Sequence, residues 1–166
     1  MDLLPPSSLL SLPQAFSWIR SGRLAIGSFP EGDATWHTLQ AMGIASVISC
    51  CAASEAAWQP PTALKTLQLA LPDHRNQIPL TPQLLDRAVN QAQALLQHQP
   101  ALFIHCWAGI ERAPLLAVAL LCRSEGLEFF TALTQVRQSC PWARPLPRQL
   151  VVLESWLADA GSGRIS

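Results

Sequence analysis

The chain has 166 residues, 49% of them hydrophobic and 13% charged, with a formal net charge of zero. This length suits one domain with a buried core, and the composition excludes a disordered chain. Neutrality removes any global field that would recruit nucleic acid or an acidic membrane, so attraction for an anion has to be local.

The opening "MDLLPPSSLLSLPQAF" is apolar, but prolines break it and no basic segment precedes it. Residues 1–20 are therefore expected to form an irregular arm, not a secretory signal. A single domain is expected over 21–160, with 161–166 as a flexible tail. In "GRLAIGSFP" (22–30) a short strand closes at Gly27 and Pro30. Asp33 is positioned to cap a helix that carries Trp36 and Leu39 and stops at Gly43. "IASVISCCA" is a β-branched strand ending at Cys50 and Cys51, and "LKTLQLALP" is a further strand ending at Pro72.

The loop "PDHRNQIPL" follows, and then Thr81 and Pro82 give a capping hydroxyl with proline at the first helical position. Leu84, Leu85, Ala88, Val89, Ala92, Leu95 and Leu96 keep one face of that helix apolar as far as His98. Ala101 to His105 is a short unbroken apolar strand, suited to burial on both faces of a parallel sheet. The next helix, from Pro114 to Arg123, is apolar nearly all round and is expected at the centre. Its apolar run from Ala113 to Cys122 is about half of a membrane span, and no membrane association is expected. Two more helices carry Phe129, Ala132, Leu133 and Val136, then Leu150, Leu153 and Leu157. Strands alternating with helices predict an α/β three-layer sandwich with a central mixed, mostly parallel sheet.

The cysteines, Cys50, Cys51, Cys106, Cys122 and Cys140, are odd in number and lack the spacing of a zinc site. They read as reduced thiols in a cytoplasmic protein, and no metal or cofactor is expected. The stretch "ALFIHCWAGIERAP" (101–114) carries the chemistry. A strand ends in His105 and Cys106, a small-residue loop passes Gly109, and Arg112 opens the next helix. Cys-x5-Arg is enough chain to wrap one tetrahedral anion, with loop amides and the helix dipole aimed at it. Arg112 offers a planar fork matched to two phosphate oxygens, and the same groups favour a thiolate at Cys106. The plain alternative, the lesser of the two, makes Cys106 a core thiol and Arg112 a surface arginine. The strand before the loop, the helix after it, His105 and Gly109 make the pattern specific.

On these residues the chain resembles the cysteine-dependent (His-Cys-x5-Arg) protein tyrosine phosphatase superfamily, and its dual-specificity branch in particular. "GRLAIGSFP" resembles the entry strand of that branch, and "ALTQVRQSCPWARPLPRQLVVLESW" its last two helices. The resemblance implies a phosphomonoesterase working through a phospho-cysteine, on phosphorylated protein or a small phosphoester. It implies Cys106 as nucleophile, with Arg112 and the amides of Trp107, Ala108, Gly109, Ile110, Glu111 and Arg112 as phosphate cradle. Asp73, roughly thirty residues before the cysteine, would protonate the leaving oxygen and then activate water. His105 would help to fix the thiolate. As an exposed loop residue Asp73 would be ionised at neutral pH, so its acid role requires a raised pKa, which closure over a phosphate dianion would supply.

Ala113 departs from the family, which carries a hydroxyl there to stabilise the departing thiolate, and Glu111 brings a negative charge beside the anion site. Ala113 motivates a second reading, a phosphate-binding pseudophosphatase. "PDH" (72–74) is similar to the lipid-phosphatase branch, yet the loop lacks that branch's lysines. Cys50 or Cys51 is a candidate redox partner of Cys106, with two core thiols as the plain alternative. Arg75, Arg144 and Arg148 read as cleft-rim or solvated residues, His37 and His98 as helix-surface residues, and Trp107 as the tryptophan nearest the chemistry.

Overall fold

The computed structural model describes residues 11–163. Among them five strands and five helices run in the order β1 (Ser17–Arg20), β2 (Leu24–Gly27), α1 (Gly32–Ala41), β3 (Ser46–Ser49), β4 (Lys65–Gln68), α2 (Pro82–His98), β5 (Leu102–His105), α3 (Arg112–Glu125), α4 (Phe129–Ser139) and α5 (Pro147–Gly161). The strands form one sheet ordered β1-β2-β5-β3-β4, in which only the edge pair β1–β2 is antiparallel. This is the mixed, mostly parallel sheet that the alternation of strands and helices predicts.

Successive strand residues point to opposite faces, and the core divides accordingly. Leu24, Ile26, Ile48, Leu102 and Ile104 meet the apolar faces of α2, α3, α4 and α5. Ala25, Val47 and Phe103 meet Trp36 and Leu39 of α1 on the other face. The result is three layers, with four helices on one side and one on the other. From Ala113 to Cys122, α3 is buried throughout, as its uniformly apolar sequence requires.

Two local expectations change. The arm expected to be irregular carries β1, whose alternating burial is too short to stand out in sequence and which forms because β2 offers it an edge. Residues 1–10 of the arm and 164–166 of the tail lie outside the described residues. Helix α1 starts one residue before Asp33, so Asp33 sits in the first turn and Glu31 holds the cap position without a side-chain bond. Thr81 does cap α2: its hydroxyl accepts from the Leu84 amide at 3.1 Å, with Pro82 behind it. His37 and His98 lie exposed on their helices. No described helix is long and apolar enough to cross a membrane.

Candidate active site

The parallel strands β3, β4 and β5 all deliver their carboxyl ends to one edge of the sheet, where ligands bind in open α/β folds. Cys106 follows β5 directly, and α3 begins at Arg112. The intervening loop is braced from outside. The Cys106 amide donates to the Gly27 carbonyl at 3.4 Å, Phe29 N to the Trp107 carbonyl at 3.1 Å, and Arg144 N to the Ile110 carbonyl at 2.5 Å. Gly109 lies at φ 75, and a Cβ there would stand 2.6 Å from Gly27 C and Ser28 N. Only glycine fits both that conformation and that approach.

Past the Cys106 amide, bracing uses the loop's carbonyls and leaves its donors free. From Trp107 to Arg112 no backbone amide makes a hydrogen bond among the described residues. A run of unpaired amides at the start of a fourteen-residue helix is a concave anion site. A cavity of about 250 Å³ opens above it, walled by Cys106, Trp107 and Ile110 on one side and by Asp73, His74 and Arg75 on the other.

Arg112 is 2% exposed, and its guanidinium is held in a fork. Nη1 and Nη2 each donate to a Glu55 carboxylate oxygen at 2.8 Å, and Nη1 also reaches the carbonyls of Cys50 and Leu71. Nη2 lies 3.3 Å from Asp73 Oδ2, while Nε makes no hydrogen bond among the described residues. Two hydrogen bonds from Arg112 outweigh partial burial and draw the Glu55 pKa down to about 2. Glu55 was not singled out by sequence reasoning. A signal existed: a buried arginine needs an anion, and Glu55 is the one charged residue between Ser49 and Lys65.

Asp73 does lie beside the cradle, but its setting corrects the expectation of an exposed residue. It is 4% exposed. Burial pushes its carboxyl up, yet the Arg75 side chain and amide, with the charge of Arg112, outweigh burial and hold it below the ordinary aspartate range. Without a bound dianion it is therefore a carboxylate. Arg75 and Arg148 are not merely solvated: Arg75 pairs with Asp73 and Glu55, and Arg148 Nη2 donates to the Asp73 carbonyl at 3.2 Å. Arg144 itself is exposed.

Glu111 lines the same cavity, with both carboxylate oxygens engaged. One carboxylate oxygen pairs with His74 Nδ1 at 2.9 Å and the other accepts from Gln149 Nε2 at 2.9 Å, fastening the Asp73 loop and α5 to the cradle. His105, expected to help fix the thiolate, lies directly before Cys106 at the end of β5. Its ring is fully buried, packed edge-on to Phe29 and stacked on Phe103, and neither ring nitrogen has a hydrogen-bond partner among the described residues. Burial pushes its pKa down to about 4, so the ring is neutral at neutral pH. Ala113 is fully buried, and no hydroxyl among the described residues bonds the Cys106 sulfur. Cys50 and Cys51 are buried free thiols, both pushed up by burial, Cys51 to about 12. Protonated thiols of this kind fit the core reading better than a redox partnership. Among the described residues no cluster of side chains could hold a metal ion.

The family model described as "Swiss Army Knife protein, DSP-PTPase phosphatase domain" matches residues 13–145. The chain belongs to this family. Members of the DSP-PTPase family are cysteine-based phosphatases that act on phosphorylated substrates. Solved structures share the fold at low identity. Human DUSP28 is 19% identical with a TM-score of 0.75, covering 91% of this chain and 99% of its own. PTPMT1 in complex with PI(5)P is 18% identical with a TM-score of 0.77, covering 90% and 99%. Human tyrosine phosphatase-like serine/threonine/tyrosine-interacting protein is 20% identical with a TM-score of 0.74, covering 87% and 97%.

Proposed function

We propose that this DSP-PTPase domain is a dual-specificity protein phosphatase that turns over through a phospho-cysteine. The observation that carries the reading is the run of unpaired amides from Trp107 to Arg112 wrapped around Cys106, with the Asp73 carboxylate 3.3 Å from Arg112 Nη2. Phosphate oxygens would lie against the amides and Arg112 Nε, displacing Asp73 from Nη2. The Cys106 thiolate attacks phosphorus: the S–P bond forms, the P–O bond to the leaving group breaks, and Asp73 gives its proton to the departing oxygen. Water then attacks the phospho-cysteine, Asp73 takes a proton from it, and the thiolate leaves. Neutral His105 supports Cys106 from behind by packing.

Trp107 and Ile110 stand exposed at the rim of a cavity of only about 250 Å³, which favours a shallow cleft open to phosphoserine, phosphothreonine and phosphotyrosine. A lipid substrate is the second reading, since PTPMT1 was solved with PI(5)P. The absence of lysine in the loop weighs against it. A panel of phosphopeptides and phosphoinositides tests the choice: release from phosphoinositides alone would overturn the protein-phosphatase reading.

Asp73→Ala separates the acid from the nucleophile. With phenyl phosphate, a poor leaving group, kcat should fall by about 10²- to 10⁴-fold, and with para-nitrophenyl phosphate by much less. Equal losses with both substrates would remove Asp73 as the acid.

Ala113 sets a second expectation. A hydroxyl donating to the departing thiolate is a hydrogen bond to a charged group, worth about 1.5–3 kcal/mol. Its absence slows expulsion of the thiolate by roughly 10- to 100-fold. Stopped-flow traces should show a burst of leaving group followed by slow turnover, and Ala113→Ser should raise the steady-state rate and shrink the burst. A native trace with no burst, and a rate unchanged by the substitution, would show that thiolate expulsion does not limit turnover. Phosphate binding with no burst and no turnover is the pseudophosphatase outcome.

A further inference from the structure

Asp73 cannot give up a proton in the arrangement described above. Its Oδ1 accepts from the Arg75 amide at 2.9 Å, and its Oδ2 accepts from Arg75 Nε at 2.8 Å, from Arg75 Nη2, and lies 3.3 Å from Arg112 Nη2. Every one of these bonds is accepted by the carboxylate and favours its ionised form, whereas an acid must carry a proton and aim it at the leaving oxygen. Of the groups on Asp73, the Arg112 contact is lost when phosphate enters the cradle. The Arg75 side chain is the one that must still move, and with half of it exposed it is free to do so.

Resting on the proposed acid role of Asp73, we infer that Arg75 is the positioning residue that gates it. In the empty site Arg75 clamps Asp73 and, through Nη2, Glu55 Oε1 at 2.6 Å. When a phosphoryl dianion occupies the cavity, which Arg75 lines, the guanidinium transfers from the two carboxylates to the phosphoryl oxygens. Asp73 Oδ2 is then freed, gains a proton from solvent and faces the leaving oxygen.

Geometry limits the groups that could do this instead. The charges facing Asp73 are Arg75 on its own loop, Arg112 at the start of α3, Glu55 from the β3–β4 connection through both arginines, and Arg148 on α5. Arg148 bonds the Asp73 carbonyl and not its carboxylate. Glu111 on the cradle loop is bonded to His74 Nδ1 at 2.9 Å and to Gln149 Nε2, and makes no contact with the Asp73 carboxylate. Arg112 is fixed by Glu55 and two carbonyls. Arg75 alone combines direct contact with freedom to leave. The balance at Asp73 has the matching form: burial raises its pKa, and chiefly the Arg75 bonds reverse that.

The sign of the effect follows. An acid catalyst works below its pKa, so the alkaline limb of the pH–rate profile reports Asp73. Removing Arg75 leaves burial dominant, raises the Asp73 pKa and moves that limb to higher pH. The test measures kcat and kcat/KM against pH with phenyl phosphate for native protein, Arg75→Gln, Arg75→Lys and Asp73→Asn. It also follows the Asp73 carboxyl carbon by NMR in phosphate-free protein. Arg75→Gln should move the alkaline limb of kcat/KM and the carboxyl titration upward together, Asp73→Asn should abolish the limb, and Arg75→Lys should restore part of the native position. A limb lost in Asp73→Asn but unmoved in Arg75→Gln, with an unmoved carboxyl titration, overturns the gating inference alone. A limb that persists in Asp73→Asn overturns the acid assignment itself, and the gate with it.

Discussion

Cys106→Ser should lower turnover of para-nitrophenyl phosphate on the order of 10⁴-fold or more while inorganic phosphate still binds. The expectation follows from how little of the cradle depends on sulfur. The loop is held by backbone bonds to Gly27, Phe29 and Arg144 and by the close approach of Gly109 to Gly27. Arg112 is held by Glu55 and two carbonyls, through bonds that do not involve the Cys106 sulfur. A serine at this position keeps the shape and the unpaired amides, but its hydroxyl retains its proton and is a poor nucleophile toward phosphorus. Calorimetric titration with phosphate reports the cradle, and a phosphate-release assay reports the nucleophile. Phosphate release by Cys106→Ser at a substantial fraction of the native rate would remove Cys106 as the attacking group. Loss of phosphate binding as well would mean that the sulfur, and not the amides, organises the cradle.

The parts of the site that were legible in sequence are local in the chain. His105, Cys106, Gly109 and Arg112 fall within one strand–loop–helix passage, where hydrophobic runs, a glycine and a helix start are visible side by side, although the bonds that brace the loop come from Gly27, Phe29 and Arg144. The central sheet was legible for the same reason, because Ile48, Phe103 and Ile104 belong to short β-branched or aromatic runs bounded by turns. What was not legible depends on contacts between distant segments. Strand β1 exists because β2 presents an edge to it. The burial of Asp73 comes from packing among the Arg75 side chain, Arg148 on α5 and Arg112 on α3, and spacing from Cys106 carries no information about it. Glu111 was read as a charge beside the anion site, but the two groups that engage its carboxylate, His74 and Gln149, come from other parts of the chain. In each case the chemistry of the residue was evident and its partner was not.

The partner with the largest consequence is Glu55, and Glu55→Ala is expected to damage both stability and catalysis. Removing Glu55 takes two charge-assisted bonds from the buried Arg112 guanidinium and leaves it only the 3.3 Å Asp73 contact as a counter-charge, a loss of about 3 kcal/mol. For a domain of this size that corresponds to a fall in Tm on the order of 10 °C. The Arg112 guanidinium would keep the Cys50 and Leu71 carbonyls and the Asp73 contact, so the fold should survive. Its fork would no longer be locked, and Arg75 would lose one of its two carboxylates. Loss of orientation in a group that must meet two phosphate oxygens justifies an expected fall of about 10²-fold in kcat/KM. Glu55→Gln, which keeps one acceptor oxygen for Arg112, should lie between native and alanine in both measurements. The pH dependence follows from the depressed carboxyl. With the Glu55 pKa near 2 in the folded protein and about 4.3 in the unfolded chain, its contribution is fully present above the unfolded value. It is lost as pH falls from there toward 2. Native protein should therefore lose stability across that acid window more steeply than Glu55→Gln. Thermal melts of native, Glu55→Gln and Glu55→Ala protein between pH 7 and pH 3, with kcat/KM at pH 7, check the prediction. Equal Tm for native and alanine proteins, with unchanged kcat/KM, would show that Arg112 is positioned by its two carbonyls alone.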